Sequence, residues 1–117
     1  MKEVDPKEMH VDSIEGLIGA YQIQDIAVVE MTDGHDKVYV ILTIEEGGET
    51  YLVRFWGKWG SSLQHKIEKI QGGEFDAILQ AKLEKDYTPV ESYERLDQHS
   101  YSGQMAEVLE SITGVGF

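Results

Sequence analysis

The chain predicts an α+β fold, an antiparallel sheet of about four strands with helices packed on one face. Three observations carry this. Lys37–Ile44 is a run of β-branched and aromatic residues, the composition of a strand. Thr50–Trp56 follows it across Glu45-Glu46-Gly47-Gly48-Glu49, a five-residue hairpin loop that brings the second strand back antiparallel. Glu74–Lys85 then spaces Phe75, Ile78, Leu79, Ala81 and Leu83 as the apolar face of a helix, with Gln80, Lys82, Glu84 and Lys85 on its wet side.

The remaining elements are read in chain order. Residues 1–11 have little periodicity and read as a loose leader. Asp12-Ser13-Ile14-Glu15 resembles a helix start, where a short polar side chain accepts backbone N–H groups. Ile14, Leu17 and Ile18 then mark one face of a short helix, which Gly16 and Gly19 weaken. Tyr21–Met31 reads as a strand, and Thr32-Asp33-Gly34-His35-Asp36 as a turn, because Asp-Gly supplies positive φ. Gly57–Leu63 breaks the return strand. Gln64–Ile70 reads as a further strand whose spacing also suits a helical turn. Asp86-Tyr87-Thr88-Pro89 ends the long helix, since the residue before proline avoids the helical region. Tyr93 and Leu96 are the anchors of a polar stretch. Gly103–Ile112 closes the layout as a helix with Met105, Val108, Leu109 and Ile112 as its face.

With 117 residues, the chain has the length of one domain: a first helix and strand over 12–36, a core over 37–87 and a C-terminal extension over 88–117. It has no cysteine, which excludes disulfides, thiolate metal sites and a cysteine nucleophile. Its apolar runs are far too short to span a membrane, and no secretory pattern opens the chain, so a cytoplasmic location with no membrane partner is expected.

Charge is distributed unevenly. The net charge is −12, yet Tyr51–Ile70 holds Arg54, Lys58, Lys66 and Lys69 against the single acid Glu68. The same stretch contains both tryptophans, Trp56 and Trp59, each followed by a glycine. The overall charge repels phosphate and argues against broad nucleic-acid binding, but it leaves room for a local basic patch. The two indoles admit a second reading as core residues, since a tryptophan at a strand end often packs. Each lysine, taken alone, suits a solvated surface.

The sequence shows no catalytic or metal-binding pattern. His10, His35, His65 and His99 have no zinc-like spacing, and the carboxylates form no calcium loop. Ser61 and Ser62 precede His65 without a nucleophile elbow, and Gly57-Lys58-Trp59-Gly60-Ser61 lacks the order of a phosphate-binding loop. No enzyme activity and no cofactor are expected.

Strand, acidic-glycine hairpin, strand, Trp56-Gly57-Lys58-Trp59-Gly60, strand, helix: over about Lys37–Tyr87 this order resembles the WGR domain of poly(ADP-ribose) polymerases and bacterial proteins. Lys37-Val38-Tyr39-Val40-Ile41 stands where that family has its aromatic-apolar strand, and Gln64 and Lys66 stand at the spacing of its Gly-Gln-x-Lys. Two positions depart. Lys58 replaces the motif arginine and loses its planar five-donor fork, and Leu63 replaces a glycine. The resemblance implies contact with a nucleic-acid end or a partner protein, with Trp56 against a sugar and Lys58 against phosphate or a partner domain. Arg54, Trp59, Gln64 and Lys66 complete the expected surface. A rival reading comes from the charge itself: a small acidic interaction protein or inhibitor whose carboxylates, such as Glu45/Glu46/Glu49 and Glu84/Asp86/Glu91/Glu94, enter a basic groove on another protein.

Overall fold

The computed structural model describes residues 13–114; the leader expected over 1–11 lies outside them, as does His10. The fold is α+β, as the sequence predicts. Its order is α1 (Ile14–Ala20), β1 (Ile23–Met31), β2 (Lys37–Glu46), β3 (Glu49–Lys58), β4 (Gln64–Ile70), α2 (Glu74–Glu84), β5 (Thr88–Pro89), α3 (Glu94–Gln98) and α4 (Tyr101–Thr113). The strands form one five-stranded sheet, β4-β3-β2-β1-β5, with antiparallel neighbours throughout.

The sheet has one strand more than expected. β5 is only two residues long and pairs with Val29 and Glu30 at the edge, where Pro89 withholds no needed ladder donor. The β2–β3 hairpin is also tighter than a five-residue loop. Glu46 pairs with Glu49 across Gly47-Gly48, both at positive φ, which is the geometry that matches strand twist in a two-residue turn. β3 continues to Lys58, β1 begins at Ile23 rather than Tyr21, and the last helix starts at Tyr101, two residues before Gly103.

Helices cover both faces of the sheet, not one. The reason lies in β2, where every residue from Val38 to Ile44 is buried. A strand apolar on both sides needs cover on both sides. One face carries Val28, Val40, Leu42, Val53 and Phe55 and packs against α1, α3 and α4 through Ile14, Leu17, Leu96, Met105 and Leu109. The other carries Val29, Tyr39, Ile41 and Leu52 and meets α2 through Phe75, Ile78, Leu79 and Leu83. The two covers differ in depth. α4 buries Tyr101, Met105, Val108 and Leu109, whereas α2 has no fully buried residue.

Local signals set the helix ends. Ser13 caps α1, its hydroxyl accepting the Gly16 N–H at 3.1 Å. The Ile14 N–H donates to Asp97 Oδ1 at 2.9 Å, which ties that helix start to α3.

Phe55 is fully buried in the larger core. Phe55→Ala is expected to cost about 3–5 kcal/mol, read as a lower urea midpoint at an unchanged slope.

Candidate functional site

Strand alternation and register build the site. In β3, Leu52, Arg54, Trp56 and Lys58 alternate onto the α2 side of the sheet. Register sets Tyr39 opposite Trp56 and Lys37 opposite Lys58 on one flank. On the other flank, β4 sets Gln64 opposite Trp56, Lys66 opposite Arg54 and Glu68 opposite Leu52. Five of the six residues expected from the sequence, Arg54, Trp56, Lys58, Gln64 and Lys66, therefore share one surface.

The indole of Trp56 is half-buried and lies near-parallel to the Tyr39 ring, 6.0 Å away with 20° between planes. Tyr39 is itself buried and meets Tyr87 edge-on at 6.3 Å. The Lys82 ammonium of α2 sits 4.2 Å from the Tyr39 ring centre and 5.5 Å from that of Tyr87. The aromatic floor thus holds Trp56 in place while leaving part of its ring open.

Positive charge crowds around this floor. Burial lowers the pKa of Lys82, and the nearby charges of Lys85, Arg54 and Lys37 lower it further. Glu68 is the acid that answers them. Its Oε1 accepts from Lys66 at 2.8 Å and from Arg54 at 3.0 Å. The Lys66 hydrogen bond, with the charges of Arg54 and Lys66, holds the Glu68 carboxyl below the usual carboxylate range. The Arg54 side chain is 18% exposed, and its Nε is buried without a hydrogen-bond partner among the described residues. The Lys66 side chain is 57% exposed, and Lys58 and Gln64 are exposed.

Trp59 is the exception. It is 5% exposed and belongs to the opposite core, so its ring is unavailable for surface contact. The Arg95 guanidinium lies 4.0 Å from its ring centre, with His99 and Tyr101 at 5.7 and 5.9 Å. The segment around it is fastened to α4. The Tyr101 hydroxyl accepts the Gly60 N–H and donates to the Lys58 carbonyl, and Gln104 bonds both the N–H and the carbonyl of Leu63. At Gly57 a Cβ would stand 3.2 Å from Leu63 Cδ2, tight enough that the leucine would have to shift by a few tenths of an ångström. The β3–β4 connection is therefore a structural joint, and the two tryptophans separate into one surface and one core residue.

The carboxylates of the acidic reading do not form one face. Glu45, Glu46 and Glu49 lie at the β2–β3 hairpin, where Glu45 accepts from Gln24 and Glu49 pairs with Lys69. Glu91 and Glu94 instead line a cleft with Ser13, Glu15 and Asp97, next to α1 and α3. Among the described residues no group of three His, Asp or Glu side chains gathers to hold a metal ion. No helix among them is long and apolar enough to cross a membrane.

Sequence reasoning missed Tyr39, Lys37 and Lys82 as parts of the site. The signal for the first two was the Gly47-Gly48 pair. A two-residue turn there fixes the register that sets Tyr39 beside Trp56 and Lys37 beside Lys58, whereas a five-residue loop shifts it by one. Lys82 carried no local signal, because its proximity to Tyr39 depends on where α2 docks.

Two outcomes follow for the joint and the ion pair. Tyr101→Phe leaves the exposed Gly60 N–H to water and should cost about 0.5–1.5 kcal/mol, measured by urea unfolding. Glu68 has a depressed folded-state pKa, so its contribution is present above the ordinary glutamate range and is lost as pH falls through the lowered value. Glu68→Gln should therefore flatten the acid limb of a stability-versus-pH curve relative to the unaltered chain.

The chain matches no protein-family model, no curated protein and no solved structure.

Proposed function

We propose that this protein is a non-catalytic binding module, WGR-like in its motif, that holds a nucleic-acid end on the α2 side of its sheet. One observation carries the reading: Lys37, Arg54, Lys58, Lys66 and Lys82 converge around a part-open, ring-backed indole on a chain of net charge −12. Like charges brought together cost folding energy, and an incoming anion relieves that cost. An indole face stacks on a base or sugar without regard to sequence, and ammonium groups at its sides pair with phosphate.

The acidic remainder limits how much nucleic acid the surface takes. A long duplex would run from the basic patch over carboxylates and be repelled, whereas an end needs only the patch. Lys58 is the exposed cation best placed for phosphate, Lys66 is exposed but already paired with Glu68, and Gln64, opposite Trp56, offers a neutral donor and acceptor beside the ring. Arg54, held by Glu68, positions the pair rather than reaching outward.

Fluorescence anisotropy with a short blunt duplex at low and high salt tests this. Binding at low salt that weakens as salt rises is the expected result. Trp56→Ala should weaken it about 5- to 150-fold, the equivalent of ~1–3 kcal/mol of stacking. No binding at low salt, or equal binding by the alanine variant, refutes the reading.

A further inference from the structure

β4 ends the sheet. Among the described residues β3 is its one strand partner, which leaves the backbone groups on its outer side available to a further strand. The strand is seven residues long, Gln64-His65-Lys66-Ile67-Glu68-Lys69-Ile70. We propose that two copies of this chain associate through β4, antiparallel about a two-fold axis at Ile67, fusing their sheets into one.

The charge pattern selects both the occupant and the register. A two-fold axis normal to the sheet pairs residues of the same face, so it must pass through a residue and its own copy. An axis at Lys66 sets Lys66 against Lys66, and one at Glu68 sets Glu68 against Glu68; like charges directly opposite are destabilising. An axis at Ile67 sets Lys66 against Glu68 of the second copy, twice, and Ile67 against Ile67. It also sets His65 against Lys69 and Gln64 against Ile70. Within one copy, Arg54 and Lys66 both use Glu68 Oε1; Lys66 of the second copy would take Oε2. Ile67 is half-buried at the margin of the larger core, and burying its open side against its twin adds apolar contact on the axis.

Lysines on an edge strand commonly discourage pairing. Here Lys66 has its complement two residues away on the same strand face, so the charge that repels other strands fits this one. The axis also conserves the face. Both Trp56 rings come to the same side of the fused sheet, roughly 25 Å apart from a rise of about 3.3 Å per residue and a strand spacing of about 4.8 Å. The pairing itself does not depend on the proposed nucleic-acid function.

Sedimentation velocity over a concentration series of the full chain tests the pairing. The unaltered protein should show a reversible dimer. Lys66→Glu sets an acid opposite each Glu68 and should weaken it at least about tenfold, with circular dichroism confirming the fold. Glu68→Lys alone should also be monomeric, but an equimolar mixture of the two variants restores complementary pairs and should dimerise. Trp56→Ala, which alters the proposed ligand surface, should leave the dimer intact. A monomer at every concentration overturns the proposal, as does Lys66→Glu associating as tightly as the unaltered chain. If Glu68→Lys fails to fold, the comparison of Lys66→Glu with the unaltered protein still decides.

Discussion

Everything in this fold depends on β2 being buried on both faces. Val38, Val40, Leu42 and Ile44 face one set of helices, and Tyr39 and Ile41 face the other. Pleating divides the strand without exception, so each neighbour in the sheet inherits the division through register. Val53 and Phe55 must join the deeper core, and Arg54 and Trp56 must join the shallower one. The surface chemistry of β3 is thus a consequence of the interior chemistry of β2. A shift of one residue between them would send Arg54 into the core and expose Phe55.

The two faces are closed to different degrees, and that difference makes room for polar chemistry. α4 seals its side with four apolar or aromatic residues and two side chains, Tyr101 and Gln104, that bond the backbone of the β3–β4 connection. α2 buries none of its own apolar residues fully and contributes an ammonium to the aromatic floor. Cations gather where the cover is thin, because a charge there keeps much of its hydration. Glu68 offsets part of the crowding, and the rest, including the depressed Lys82, has no paired acid among the described residues.

Most of the strand and helix pattern was readable in the sequence because it is carried locally. The β-branched run at Lys37–Ile44, the Ser13 cap and the apolar spacing of Glu74–Lys85 each act within a few residues. What was not readable is carried by docking. β5 has two residues and no periodicity, and it exists because Thr88 and Pro89 are delivered beside Glu30 and Val29. The helix cover on the second face was hidden because an apolar run shows that a strand is buried, but not from how many sides. Trp56 and Trp59 look alike in the chain, three residues apart and each followed by glycine. Their separation follows from β3 continuing through Gly57 to Lys58 before the chain turns, which carries Trp59 over to Arg95, His99 and Tyr101.

That separation gives the molecule two optical reporters with different subjects. An indole shut among hydrocarbon and a guanidinium emits according to whether the core is assembled, so Trp59 registers folding. An indole with one side against tyrosine and the other toward water emits according to what rests on it, so Trp56 registers occupancy. Because the chain has no third tryptophan, replacing either one isolates the signal of the other.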